Sequence, residues 1–290
     1  MRQFELLEPR SLAEACSALA TAVDAKPVAG GTALLTIIKQ GLLLPKSLVN
    51  LKKIRDGAAI SFDPNRGLRI GALATINEIE TSPAVRSHYP ALAEACHVVA
   101  NIRIRNMATI GGNLAHGDYQ SDPPTVLAAL DATVEITSQS GTREMKLGEF
   151  QRGSYETALE PGELITAISL PPLARGFNGV YIKFTTGSSE ERPCAGVAAL
   201  VQMENAICRE LRLAIGAVSP RPVRITAGEA LARGQNLNAA LIERIAAEAA
   251  LAVEPIEDVR GPADYKRHLV GVLARRALTA LANETTGRTS

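Results

Sequence analysis

The sequence predicts a mixed α+β chain in two domains. Three observations point that way. Residues 1–55 alternate strand-like and helix-like patterns into a β-α-β-α-β unit. Residues 171–179 hold two prolines and two glycines and interrupt the pattern, which marks a domain boundary. Beyond it, strand-like runs come first and a helical tail follows. At 290 residues the chain has enough apolar content for the cores of both units.

In order, Phe4-Glu5-Leu6-Leu7 reads as a short strand. Ser11 and Glu14 have capping-box spacing ahead of a helix over 12–22. Pro27-Val28-Ala29 ends a strand, and residues 32–40 form a helix that Gly41 terminates. Residues 47–51 and 68–73 are strands, 75–80 a short helix and 91–99 a longer one. Asp122-Pro123 reads as an N-cap and first helical residue of a helix through Leu130. Strands follow at 133–137 and 163–170, with a hairpin turn at 139–142 after the first. Past the boundary, 181–184, 195–204 and 207–217 are strands, with a tight turn at Glu204-Asn205. The tail is helical at 239–253 and 265–282, with apolar spacing near 3.6.

Two stretches stand out from this background. Val28-Ala29-Gly30-Gly31-Thr32-Ala33-Leu34 places a double glycine between strand and helix. Thr109-Ile110-Gly111-Gly112-Asn113 repeats the arrangement. Glycine tolerates positive φ and has no Cβ to hold a ligand off the backbone. Successive main-chain N–H groups in such turns can converge on an anionic oxygen. One Gly-Gly is usually a plain turn; two, each preceded by apolar residues and leading into a helix, strengthen the case for a two-loop diphosphate clamp. Neither matches the dinucleotide fingerprint of doubly wound sheets or the phosphate loop with its lysine. Asp122 stands where a carboxylate can cap its helix or bond a ligand hydroxyl.

Composition excludes several classes. The net charge of +1 gives no electrostatic case for nucleic acid or an anionic membrane. Tryptophan is absent, which argues against base-stacking platforms. The four cysteines, Cys16, Cys96, Cys194 and Cys208, form no C-x-x-C pair and have no zinc-spaced histidines, so this chain is expected to hold no metal. No apolar run is long enough to span a membrane. The N-terminus lacks the apolar core of a secretion signal, so a cytoplasmic protein is expected.

Beyond these features the chain resembles a known family. The segments that carry the resemblance are Ala29-Gly30-Gly31-Thr32-Ala33-Leu34-Leu35, Ile70-Gly71-Ala72-Leu73, Ile104 to Leu114, and Ala115-His116-Gly117-Asp118 running on to Asp122. They continue with Tyr155 to Leu159, Pro161 to Leu164, Tyr181-Ile182-Lys183 and Gly216 to Pro222. In that order and over essentially the whole chain, they are similar to the FAD-binding medium subunit of molybdenum hydroxylases. That family includes aerobic carbon monoxide dehydrogenase and xanthine dehydrogenase. The resemblance implies a two-subdomain FAD-binding domain of the PCMH type over 1–175, with subdomains of about 1–55 and 56–175. A C-terminal domain over 176–290 would carry a three-stranded antiparallel sheet beside helices.

It also implies a set of cofactor-binding residues. Residues 28–34 and 109–113 would wrap the FAD pyrophosphate and ribityl chain. Asp122 matches a carboxylate that bonds the adenosine part. Ile165 sits where an apolar side chain abuts the isoalloxazine, and Lys183 where a basic residue lies near its polar edge. Two departures are visible: no cysteine-rich insertion follows Asn113, and the Thr185-Thr186-Gly187-Ser188-Ser189-Glu190-Glu191-Arg192 loop lacks an arginine-rich run.

The expected activity is electron transfer within a multi-subunit oxidoreductase. Molybdopterin would lie on a large subunit and [2Fe–2S] clusters on a small one, in a dimer of heterotrimers. No residue of this chain is assigned a catalytic role. The rival readings are a self-sufficient flavin oxidase or reductase of the same architecture and a non-catalytic nucleotide-binding protein. The sequence names neither the hydroxylated substrate nor the final acceptor.

Overall fold

Three parallel strands open the structure, a computed structural model that describes residues 3–287. They are β1 (Glu5–Leu7), β2 (Ala25–Val28) and β3 (Ser47–Asn50), in the order β1-β3-β2. Helices α1 (Leu12–Thr21) and α2 (Leu34–Lys39) make the crossovers that parallel pairing requires. The Ser11 hydroxyl accepts the Glu14 N–H at 3.2 Å and starts α1. The Glu14 carboxylate reaches the Arg10 N–H rather than that of Ser11, so the predicted capping box closes one residue early. Ala15 and Cys16 on α1 meet Val49 and Leu51 in a small core, joined by Leu164 from a later strand.

A second, larger sheet follows. It contains β4 (Ile60–Asp63), β5 (Gly67–Gly71), β6 (Thr133–Ser138), β7 (Gly141–Lys146) and β10 (Leu164–Leu170), antiparallel in the order β4-β5-β10-β6-β7. Between β5 and β6 the chain makes helices α3 (Ile76–Thr81), α4 (Pro83–His88), α5 (Pro90–His97), α6 (Ile102–Arg105), α7 (Ile110–His116) and α8 (Asp122–Ala129). The short α9 (Leu147–Phe150) and a separate ribbon, β8 (Gln151–Gly153) with β9 (Glu156–Thr157), precede β10. In β6, Val134 and Ile136 are buried while Thr133, Glu135 and Thr137 are half-exposed, the period of two that places alternate residues on one face.

The last sheet is β11 (Phe177–Phe184), β12 (Ala195–Glu204), β13 (Ile207–Gly216) and β14 (Val223–Arg224), all antiparallel. It has four strands where three were expected. The fourth pairs only two of its residues, Val223 with Ile215 and Arg224 with Ala214, too short a run to show a periodic pattern. The β12–β13 turn falls at Asn205-Ala206, one residue later than expected; both have positive φ, 50° and 63°, as a type I′ turn needs. Helices α10 (Thr226–Ala232), α11 (Ala239–Ala252) and α12 (Ala263–Gly287) complete the chain.

This sheet is covered on both faces. Val197, Ala199 and Val201 of β12 join the core beneath α11 and α12, while Ala198 and Leu200 join the core of the large sheet and its helices. That is why β12 reads as a continuous apolar run rather than an alternating one. Helix α8 lies against β12 and β13, and α5 against β11. The arrangement sets the start of α8 opposite the end of β11.

Candidate cofactor site

The first glycine stretch leaves β2 at Val28 and enters α2 at Leu34. Gly31 has φ +73°, a conformation that an L side chain resists. Gly30 lies flush against another segment: a Cβ there would sit 1.9 Å from the Met107 carbonyl oxygen. Residues 28–34 are all half-buried. The N–H groups of Gly30, Gly31, Thr32, Ala33 and Leu34 donate to no acceptor among the described residues, and Ala33 at the helix cap offers no side chain to satisfy them. Five successive unpaired donors at a helix start form a ready seat for anionic oxygen.

The second stretch differs. Ile110 N–H donates to Ala74 O at 3.0 Å, Gly111 N–H to Ala72 O at 2.9 Å, and Asn113 N–H to Thr109 O at 2.9 Å. The Thr109 hydroxyl accepts the Gly112 N–H at 3.2 Å. Gly111 and Gly112 lie in the first turn of α7 and neither has positive φ. The N–H nest expected there is therefore absent: the donors are tied to the floor beneath and to the helix's own cap. Gly111 is needed because a Cβ would lie 2.6 Å from that of Ala72. Gly112 is exposed, and its missing Cβ leaves an open surface facing only Thr109 Oγ1. Because Gly30 abuts Met107 and Ala108, just ahead of Thr109, the fold brings the two stretches side by side.

Asp122 begins α8 but does not cap it. Ser121 is the N-cap residue and Asp122 the first helical one, with Pro123 behind it. This frees the Asp122 carboxylate, which accepts from the Tyr181 hydroxyl at 2.8 Å and the Lys183 ammonium at 3.2 Å. Both charged side chains of the pair are nearly enclosed. Burial pushes the Asp122 carboxyl up to about 6, against the opposing pull of Lys183 and Tyr181. Lys183 also donates to Val98 O at 2.7 Å, leaving one ammonium proton uncommitted. Asp122 and Lys183 thus lie in direct contact. Tyr181, two residues before Lys183 on one strand, shares its face, as a spacing of two dictates.

Ile165 is buried on β10 opposite Ile136, beside a register shift that ends at Ala167. Its neighbour Thr166 accepts the Ala72 N–H at 3.0 Å, and Ala72 in turn accepts that of Gly111. This chain of bonds ties β10 to the second glycine stretch.

The comparisons with known proteins agree with this architecture. Residues 2–173 match the family model described as the FAD binding domain in molybdopterin dehydrogenase. Residues 186–281 match the CO dehydrogenase flavoprotein C-terminal domain. This chain belongs to the FAD-binding medium subunits of the molybdenum hydroxylases. It is 31% identical over 280 residues to the glyceraldehyde dehydrogenase medium chain of Sulfolobus acidocaldarius, covering 97% of this chain and 99% of the relative. It is 32% identical to the carbon monoxide dehydrogenase medium chain of Hydrogenophaga pseudoflava, covering 96% of each. Among solved structures, the Hydrogenophaga pseudoflava carbon monoxide dehydrogenase lacking the Mo-pyranopterin moiety superimposes with a TM-score of 0.92, at 32% identity over 97% of each chain. Quinoline 2-oxidoreductase from Pseudomonas putida 86 gives the same TM-score at 29% identity over 98% of each chain.

The residues of this medium subunit fit FAD. Five unpaired N–H groups suit its phosphate oxygens, and Asn113 presents a buried side-chain oxygen, Oδ1, that has no donor while its Nδ2 is held by Ser121. Other polar residues near the loops are committed to the fold. Arg105 pairs with Glu80 at 2.9 Å and donates to Val99 O and Ala100 O, so it is not free for phosphate. His116 lies edge-on to Tyr155, and burial lowers its pKa. Cys16, Cys96, Cys194 and Cys208 are free thiols, each buried.

Proposed function

We propose that this chain is the FAD-carrying electron-transfer subunit of a molybdenum-containing hydroxylase. It would take electrons from [2Fe–2S] clusters on a small partner subunit and deliver them to an external acceptor. Molybdopterin would lie on a large partner subunit, in a dimer of heterotrimers in the cytoplasm. The observation that carries the reading is the pair of abutting glycine stretches, one with its N–H donors open, in a chain of this family. The FAD-binding part is assigned to residues 1–175, in subdomains of about 1–55 and 56–175, and the C-terminal domain to 176–290. Among the described residues no helix is long and apolar enough to cross a membrane.

FAD, when bound, would supply the electron-accepting and electron-donating chemistry. The chain's own residues would bind and orient it. Val28, Ala29, Gly30, Gly31, Thr32, Ala33 and Leu34 would hold the pyrophosphate through main-chain N–H groups. Thr109, Ile110, Gly111, Gly112 and Asn113 would form a close-approach surface, with Asn113 Oδ1 accepting a hydroxyl. Ile165 would lend apolar contact. Asp122 and Lys183, as one pair, would hold a polar edge of the cofactor, where the spare Lys183 proton favours added negative charge.

The similar proteins are named for different substrates, among them carbon monoxide, glyceraldehyde and quinoline. That variety at similar identity supports a chain that serves the electron path and leaves substrate choice to a partner. The test is to purify the complex, release its flavin by acid or heat, and assay the isolated chain. One non-covalent FAD per chain, with no substrate oxidation unless partners are present, is the expected result. Robust oxidation of a small organic substrate by the isolated chain would overturn the reading.

A further inference from the structure

Between α7 and α8 runs a loop, residues 117–121, that joins Asn113 to Asp122. The side chains of Asp118, Tyr119 and Gln120 reach partners in the C-terminal half of the chain. Asp118 pairs with Arg192 at 2.7 Å. The Tyr119 hydroxyl and the Gln120 amide both donate to Asp258 Oδ2, at 3.1 Å and 2.8 Å. Gln120 Oε1 accepts from Arg260 at 3.2 Å, and Asp122 at the loop's end is held by Tyr181 and Lys183. Asp258 is held in turn: Lys266, fully buried on α12, donates to its Oδ1 at 2.8 Å and to Ile256 O at 2.7 Å. The Arg260 N–H donates to the same oxygen at 2.8 Å.

A fully buried ammonium is costly unless paired and hydrogen-bonded, so this cluster needs a reason to exist. Apolar residues could join the two domains as well. The cluster instead spreads one carboxylate over two loop side chains and one helix lysine. Burial alone would raise the Asp258 carboxyl, but Lys266, the Arg260 N–H and Tyr119 outweigh it and hold it below its ordinary value. The acceptor is thus a carboxylate, and its hydrogen bonds to Tyr119 and Gln120 are charge-assisted and directional.

We propose that Asp258, fixed by Lys266, is a positioning residue for the flavin site: it sets the 117–121 loop and through it Asn113 and Asp122, without touching the cofactor. The loop transmits the constraint because Ser121 Oγ accepts from Asn113 Nδ2 at 2.8 Å, which aims the unpaired Asn113 Oδ1. This inference rests on the FAD reading above.

The test uses the full chain, stripped of flavin and titrated with FAD. Asp258→Asn leaves Lys266 without its anion and can fail to fold, so the decisive variant is the double Tyr119→Phe, Gln120→Met. It removes both loop donors to Asp258 and leaves the Lys266–Asp258 pair intact. A melting temperature within a few degrees of wild type, an FAD dissociation constant raised about tenfold, and a shifted flavin midpoint potential and visible circular dichroism are expected. A double variant with wild-type affinity, potential and dichroism overturns the inference alone. A wild-type chain that binds no FAD overturns the proposed function and this inference with it.

Discussion

The two glycine stretches share their letters and differ in their physics. In the first, Gly31 takes φ +73° and the N–H groups of residues 30–34 have no acceptor among the described residues. In the second, Gly111 and Gly112 are helical, and the N–H groups of residues 110–113 are all bonded within the protein. The first leaves a row of open donors; the second is a helix start whose donors are already bonded and whose Gly112 face is bare. A double glycine signals close approach in both, but only the hydrogen-bond inventory says whether the backbone is donor or floor. One Cβ can therefore do very different things in the two places.

The largest effect is expected at Gly111. A side chain there would press on Ala72, with its Cβ 2.6 Å from that of Ala72 and 2.8 Å from its carbonyl oxygen, and neither is the end of a flexible group. Gly111→Val should cost about 3 kcal/mol or more, as over-packing against backbone does. Thermal melting and flavin content should fall together, because the fold itself gives way. A variant that melts like wild type would mean the floor is loose. Next is Gly30→Ala. Its Cβ would meet Met107 O at 1.9 Å and force the two stretches apart. The cost to the fold should be about 2 kcal/mol, with FAD binding falling more steeply than melting temperature. Equal losses at Gly30 and Gly111 would erase the distinction drawn between the loops.

Much of this was legible in the sequence. The periodicity of β6 and the helical tail and the glycine before α2 are local signals, and local signals survive in one dimension. Asp122 was legible as a helix start, but its partner Lys183 was not. The two lie on different elements, and only the stacking of α8 on the β11–β13 sheet brings them together. The two-residue β14 and the short α4 were missed because so few residues carry no period. The free donors of residues 30–34 and the bonded ones of 110–113 could not be told apart, because Ala72 and Ala74, which take two of the latter, come from another segment.

Asp122 extends the comparison to pH. Its carboxyl is raised from 3.8 to about 6 in the folded chain. A raised pKa means the native state binds its proton more tightly than the unfolded one. Its stabilising contribution is present below about pH 4 and is lost as pH rises through about 6. Wild type should therefore lose stability relative to Asp122→Asn across that window, by on the order of 3 kcal/mol. Denaturant midpoints of both proteins at several pH values measure it. No titratable side chain lies within residues 28–34, so the donor seat should show no such window. A difference of the opposite sign, with wild type gaining stability over Asp122→Asn as pH rises, would show that the Lys183 pair, not burial, governs the carboxyl.

The smallest effect on the fold is the sharpest test of what the second stretch is for. Gly112 is exposed, and a Cβ there meets only Thr109 Oγ1, at 2.9 Å. Gly112→Val should therefore disturb little beyond the helix cap, which is worth about 1 kcal/mol. Thr109→Ala removes the same cap and adds no bulk, so the two variants should melt alike. They should part company on the cofactor. Valine places two methyl groups on the open surface where the proposed cofactor would approach, whereas alanine at 109 leaves that surface bare. Flavin titration should find Gly112→Val binding FAD at least tenfold more weakly than Thr109→Ala, a difference of about 1.4 kcal/mol. If both variants bind alike, α7 is only a capped helix beside the site, and the first stretch holds the diphosphate alone.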